Sequence, residues 1–164
     1  MTVLPSPLPP ETLALIREMQ AREPHYVKVK DDGFQETDGT IIPEITGVIE
    51  AVVFFYQCYD RGIMNRIAFE EVKGDPPENY EIRATVRIKT ASGIRYEVTL
   101  SKSSVKKHLV PYIFNLGLQP VDGVITKLGV RKVEWQSFKF NVVTFQLLGP
   151  AETEMPQEEK NLVA

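Results

Sequence analysis

The sequence predicts a mainly β protein with five strands and one helix between the third and fourth strands. Two observations lead to this fold class. Residues 81–90 and 94–100 alternate between apolar and polar side chains with the two-residue period of a strand, and residues 101–116 then change to a helical period of about 3.6 residues. Segments rich in β-branched and aromatic residues on either side supply the other strands. The 164 residues are enough for one such domain with its own hydrophobic core.

The chain divides into three regions by composition. The main body is expected at residues 46–149, after an N-terminal region at 1–45 and before an acidic, disordered tail at 150–164 that is poor in aromatic and β-branched residues. The strands of the body are expected at residues 46–57, 81–90, 94–100, 123–133 and 138–148.

The N-terminal region combines a proline-rich arm, a helix and turns. Residues 3–10 contain four prolines, which favour an extended arm. Residues 11–22 carry apolar side chains at helical spacing between two prolines, which predicts one amphipathic helix. The Asp-Asp-Gly sequence at 31–33 and the Asp-Gly sequence at 38–39 predict turns.

Two connections in the main body are also defined by the sequence. Residues 58–80 are polar and contain several glycines and prolines, which indicates a long loop. The helix after the third strand can be capped by a serine at 101, 103 or 104 and can end at Gly117. Pro111 is expected to kink this helix or to divide it in two.

Charge is distributed unevenly along the chain. The whole chain has a net charge of −3, which argues against a protein that coats nucleic acid by bulk positive charge. Residues 82–142, however, hold eleven basic and three acidic residues, a net charge of +8, so the rest of the chain carries −11. This split suggests a basic body that faces a polyanion, with acidic flanks. The alternative is that lysine and arginine are simply the solvated residues of these strands and helices.

The order of elements over residues 46–148 resembles the OB-fold, a five-stranded Greek-key barrel with a helix between strands three and four. Together with the acidic C-terminal region, it resembles the small OB-fold single-stranded DNA-binding proteins of phages, plasmids and bacteria. The resemblance is one of topology and rests on no specific motif. Bacterial members of that family end in an acidic tip closing on Pro-Phe, whereas residues 158–164 read Glu-Glu-Lys-Asn-Leu-Val-Ala.

The resemblance implies that oligonucleotides meet the second and third strands and the loops after the first and fourth. The second and third strands form a hairpin whose outward residues are basic. In the first strand, alternation from an outward Glu50 would place Phe54 and Tyr56 on the same outer face, with Phe55 buried. Trp135 lies in the loop after the fourth strand, between lysines. The candidate nucleic-acid-binding residues are Phe54, Tyr56, Arg83, Arg87, Lys89, Arg95, Lys106, Lys107, Lys127, Arg131, Lys132, Trp135 and Lys139.

The sequence offers little for catalysis or for cofactor binding. Cys58 is the only cysteine and His25 and His108 are the only histidines, which excludes zinc fingers and disulfides within this chain. The two histidines lie in different segments without an obvious partner, and there is no cysteine–histidine signature. It has no phosphate-binding loop, dinucleotide fingerprint or hydrolase motif. We therefore expect no enzyme, no cofactor and no metal. A nuclease that uses scattered carboxylates to hold a metal is the catalytic alternative.

The leading function is therefore binding of single-stranded DNA, or of RNA, in replication or recombination. The expected protein is a homo-oligomer in the cytoplasm, with replication or recombination proteins as further partners and no membrane span. The rival function is a structural or assembly β-barrel subunit of a phage particle or nucleoprotein complex. The proline-rich arm and the amphipathic helix would then serve subunit contacts.

Overall fold

Nine strands join into one sheet in this computed structural model, which describes residues 8–22 and 24–151. The strands are β1 (His25–Lys30), β2 (Gly33–Gln35), β3 (Ile41–Ile42), β4 (Ile45–Asp60), β5 (Ile63–Ala68), β6 (Glu81–Thr90), β7 (Arg95–Leu100), β8 (Val124–Trp135) and β9 (Phe138–Pro150). Their order is β3-β2-β1-β7-β6-β4-β8-β9, with β5 paired to the C-terminal part of β4. All pairs are antiparallel except β1 with β7.

The predicted β class is confirmed, and the five predicted strands correspond to β4, β6, β7, β8 and β9. Four strands were not predicted: β1, β2 and β3 before the body, and β5 in the segment expected as a loop. The loop prediction for residues 58–80 is thus wrong for residues 58–68, because β4 continues to Asp60 and turns back into β5. The predicted turns at 31–33 and 38–39 connect the early strands.

The sheet does not close into a barrel among the described residues. The free edge of β7 is taken by β1 in parallel pairing, so β9 stays at the opposite end of the strand order. A side chain satisfies one backbone donor of β9 instead, since the Val143 amide donates to Ser104 Oγ at 2.9 Å. The Asn141 side chain, also on β9, donates from Nδ2 to Asp31 Oδ1 at 2.8 Å.

The helices follow the predicted positions. The first is α1 (Pro10–Arg22), and the second segment contains α2 (Lys102–Ser104), a π-helical turn (Val105–Leu109) and α3 (Val110–Asn115). Ser101 caps this segment, because its Oγ accepts a hydrogen bond from the Ser104 amide at 3.3 Å. Pro111 lies in the first turn of α3, directly after the π-helical turn, where its missing N–H is tolerated. The helical stretch runs unbroken over residues 102–115, so the expected division into two helices does not occur.

The core lies between the inner face of the sheet and the second helical segment. Its fully buried members include Phe34 from β2, Ile49 from β4, Ile88 from β6, Val98 from β7 and Leu109 from the π-helical turn. Strands from both ends of the chain thus share one core, and burial of these side chains is the main source of stability.

Strand β4 contains a β-bulge that reverses the expected alternation. Ile49 pairs with Ile88 and Ala51 with Arg87, so Glu50 is an extra residue on β4. After the bulge, Phe54 packs against the core, while Phe55 lies across from Arg83 on the other face. The predicted outward position of Phe54 and Tyr56 is therefore wrong, since one extra residue moves every later side chain to the opposite face.

The apolar residues of α1 are exposed to solvent. They are Leu13, Leu15, Ile16 and Met19. The amphipathic helix that the sequence predicts is therefore present, but its apolar side is not buried against the described part of the chain. Within residues 8–22 and 24–151, no helix combines the length and the apolar character needed to cross a membrane.

Candidate nucleic-acid interface

The four basic residues predicted on the hairpin lie together on one face of the sheet. Arg83, Arg87 and Lys89 alternate on β6 with the buried residues of the core, and Arg95 lies across from Lys89 on β7. We call the side of β4, β5, β6, β7 and β1 that points away from the core the outer face. Strict alternation on these strands is what places the basic side chains there.

The arginines of the outer face are paired with glutamates. Arg95 Nε lies 2.8 Å from Glu50 Oε1 of the bulge. The other two pairs are Arg87 Nη2 with Glu97 Oε1 at 3.0 Å and Arg83 Nη2 with Glu81 Oε2 at 3.4 Å. Solvent-accessible pairs of this kind add only about 0–1 kcal/mol each to stability. They hold the guanidinium groups in place and reduce the net charge of the face.

Arg66 is a further basic residue of the outer face that the sequence analysis did not identify. Its guanidinium carbon lies 4.5 Å from the centre of the Phe55 ring, and its Nε donates to Gln57 Oε1 at 3.0 Å. Arg66 belongs to β5, which lies in the segment that was predicted to be a long loop. The Nε atoms of Arg83 and Arg87 are buried and have no hydrogen-bond partner in the described part of the chain.

Two exposed tyrosines flank these basic side chains. Tyr59 on β4 lies two residues beyond Gln57 on the same face and is 67% exposed. Tyr26 on β1 is paired with Glu97 and is also exposed. Tyr26 and Tyr59 are the exposed aromatic rings beside the basic side chains, a position that was predicted for Phe54 and Tyr56. No sequence signal pointed to Tyr59, because the bulge is visible only in the pairing of β4 with β6.

Phe54, Tyr56 and Lys106 line a cleft on the other side of the sheet. The cleft has a volume of about 570 Å³ and lies between β4, β6, the loop after β5 and the second helical segment. Phe69 from that loop stacks on Tyr56, with ring centres 5.8 Å apart and an angle of 22° between the planes. These three predicted residues therefore lie together, but on the opposite side of the sheet from the basic side chains of β6 and β7.

The hairpin of β8 and β9 carries five more predicted residues. Trp135 is 61% exposed at its tip, across from Phe138. Two of the lysines are already paired with carboxylates, since Lys127 Nζ lies 3.1 Å from Glu44 Oε2 and Lys132 Nζ lies 3.3 Å from Asp31 Oδ2. The hydrogen bond from Asn141 and the contact with Lys132 lower the pKa of Asp31. The remaining two predicted residues here are Arg131 and Lys139.

Lys107 and Arg131 lie close to His108. Partial burial of the imidazole lowers the pKa of His108, and the positive charges of Arg131 and Lys107 lower it further. His108 is therefore a group whose protonation adds charge to an already basic region.

We expect His108 to make stability depend on pH. Its folded-state pKa is lower than its unfolded value of 6.5, so the unfolded chain binds more protons between these two values. The free energy of unfolding should fall as pH drops through 6.5 toward the lower folded-state pKa. The His108→Gln variant should lose this contribution. Urea unfolding of both proteins at several pH values would measure it, and parallel pH profiles would contradict it.

The predicted site residues thus fall into separate groups: the outer face, the cleft and the β8–β9 hairpin with its helix neighbours. The described residues contain no cluster of three or more histidine, cysteine or acidic residues able to hold a metal ion. No protein-family model, curated protein or solved structure matches the chain, so the site rests on its own geometry.

Proposed function

We propose that this protein binds single-stranded nucleic acid, first of all single-stranded DNA, on the outer face of its sheet. One observation carries the proposal: two exposed tyrosines share that face with five basic side chains of β5, β6 and β7. The residues are Tyr26, Tyr59, Arg66, Arg83, Arg87, Lys89 and Arg95. A basic surface that follows the phosphates, with aromatic rings for the bases, is the combination that single strands require.

Single strands suit this face better than a duplex does. Exposed rings such as Tyr59 stack on free base faces, and each stacked base contributes about 1–3 kcal/mol. A duplex hides those base faces. The arginine–glutamate pairs can open toward a phosphate, because surface ion pairs are weak and a phosphate oxygen accepts the same guanidinium donors. Lys89 has no ion pair within the described residues and is available directly.

The strand arrangement supports an OB-like origin for this face. Strand β4 pairs with β6 and β8, β6 pairs with β7, and the helical segment lies between β7 and β8. We propose that β4, β6, β7, β8 and β9 are a variant OB-fold in which β1 has taken the edge of β7. A role in replication or recombination in the cytoplasm, as in the single-stranded DNA-binding proteins, is part of the same proposal.

Binding of labelled oligo-dT tests the proposal. We expect fluorescence anisotropy to show salt-sensitive binding of oligo-dT, with weaker binding of the matched duplex, because the phosphate contacts release counterions. The Tyr59→Ala variant should bind oligo-dT about tenfold more weakly, the loss expected for one stacked base. Oligo-rU measured in parallel compares RNA with DNA.

The matched control is Tyr56→Ala, which removes the same side chain from the opposite side of β4. This variant should keep the affinity for oligo-dT. A loss in Tyr56→Ala without a loss in Tyr59→Ala would overturn the outer face as the binding surface. Absence of binding at low salt would overturn the function itself.

Assembly into a larger particle is the second candidate function. Phe114 on α3 is 83% exposed and Leu118 just after it is fully exposed, and the apolar residues of α1 are uncovered as well. Uncovered apolar surface of this kind often marks a subunit contact. An assembly subunit should form a defined oligomer without nucleic acid, seen by light scattering, and should show no salt-dependent affinity for oligo-dT.

A further inference from the structure

The cleft behind β4 has the size and lining of a small-molecule site. Its volume of about 570 Å³ falls within the range of about 300–1,000 Å³ that is usual for ligand pockets. Four aromatic side chains contribute to its wall, together with Pro76, Ile82, Val105 and Val110. The aromatic residues are Phe54, Tyr56, Phe69 and Tyr80.

The aromatic wall is held in position by its own contacts. Phe69 packs against both Phe54 and Tyr56, with ring centres 6.0 and 5.8 Å away. Cys58 beside Tyr80 raises the pKa of the Tyr80 hydroxyl. Rings arranged before a ligand arrives can stack on a further ring at a low entropic cost.

The polar part of the cleft is mainly positive. Lys102 and Lys106 are one helical turn apart at its rim, and neither forms an ion pair within the described residues. Among the described residues that line the cleft, the carboxylate belongs to Glu81, and it is paired with Arg83 at 3.4 Å. An anionic group placed at the rim would therefore meet two ammonium groups and a neutralised glutamate.

We propose that this cleft binds a small aromatic anion, one or two fused rings that carry a carboxylate or a phosphate. The ring lies against the aromatic wall, and the anionic group lies between Lys102 and Lys106. This site is separate from the outer face, since Phe54 and Tyr56 point to the opposite side of the sheet from Phe55. It therefore does not depend on the proposed binding of nucleic acid.

Calorimetric titration with three probes tests the ligand class. The probes are 1-naphthoate, its neutral analogue 1-naphthalenemethanol and the non-aromatic anion octanoate. We expect 1-naphthoate to bind about tenfold more tightly than the neutral analogue, because only the anion engages the lysines. It should also bind more tightly than octanoate, because only the ring stacks. No binding of 1-naphthoate, or equal binding of either comparison compound, would overturn the proposal.

Variants of the full chain then locate the site. The double variant Lys102→Ala, Lys106→Ala should bind 1-naphthoate about tenfold more weakly, and Val110→Trp, which fills the cleft from an exposed position, should abolish binding. Lys107→Ala is the matched control, since Lys107 lies on the same turn but does not line the cleft. Unchanged affinity in the double variant, or an equal loss in the control, would overturn the assignment. Circular dichroism of each variant verifies its fold.

The same titration separates this proposal from the nucleic-acid function. Saturating 1-naphthoate should not displace oligo-dT, because the two ligands use opposite sides of β4, although the ion pair between Glu81 of the cleft and Arg83 joins the cleft to the outer face. If oligo-dT fails to bind while 1-naphthoate binds, only the nucleic-acid proposal falls. Competition between the two ligands would overturn the separate site.

Discussion

Replacing Phe34 with alanine should lower the free energy of unfolding by about 3–5 kcal/mol, the usual loss for a buried aromatic side chain. Phe34 is fully buried and belongs to the same core as Ile49 and Val98, although it comes from the short strand β2. A domain of this size has a total stability of about 5–15 kcal/mol. The single substitution should therefore remove a large part of the stability of the whole domain.

Urea unfolding followed by circular dichroism measures this effect. The control is Ile41→Ala in the neighbouring strand β3, where the side chain is exposed and the expected loss is below about 1 kcal/mol. One cooperative transition at a lower urea concentration is expected for Phe34→Ala. If that variant unfolds like the wild-type protein, residues 25–42 form an appendage outside the main core.

The elements that the sequence predicts well are those with a strong internal pattern. Apolar and polar side chains alternate along β6 and β7 because one face packs on the core and the other meets solvent. The pattern can therefore be read directly from the residue types. The helix at 101–116 has an N-cap at Ser101 and a change of period. Local signals of this kind do not require knowledge of the rest of the chain.

The strands that were not predicted from the sequence form only by pairing with other strands. Strand β3 has two residues and β2 has three, too few for a recognisable period. Strand β2 exists through pairing with β1, and β3 through pairing with β2. Strand β5 is exposed along almost its whole length, so it carries no apolar alternation. It pairs with β4 because the turn at Arg61 and Gly62, both with positive φ, reverses the chain direction.

The basic character of the candidate site could be predicted from the sequence, but the arrangement of its side chains could not. The basic residues of β6 and β7 are visible in the sequence, yet their pairing with glutamates is not, because Glu50 and Arg95 meet only through the sheet. The bulge at Glu50 has no sequence signal comparable to a glycine or proline. It turned Phe54 and Tyr56 to the inner side of β4 and placed Tyr59 on the outer face, whereas Phe55 is buried as predicted, but on the outer side beneath Arg66.

The second large effect concerns binding of nucleic acid to the outer face. The triple variant Arg83→Ala, Arg87→Ala, Lys89→Ala should lower the affinity for oligo-dT at low salt by about a hundredfold or more, because three phosphate contacts are lost. It should also reduce the slope of log affinity against log salt by about 2, the value for three contacts to a single strand. Glu81 and Glu97, left without their arginines, add repulsion of the phosphates.

A second triple variant with the same change in net charge makes this result specific. Lys127→Ala, Lys132→Ala, Lys139→Ala removes three positive charges from the β8–β9 hairpin, where two of the lysines are paired with carboxylates. If binding followed net charge alone, both variants would weaken it equally. Because the outer face also supplies Tyr59 and Arg66, its variant should show the larger loss in affinity and in salt slope. A larger loss in the hairpin variant would indicate that oligo-dT binds instead to the β8–β9 hairpin and to Trp135 at its tip.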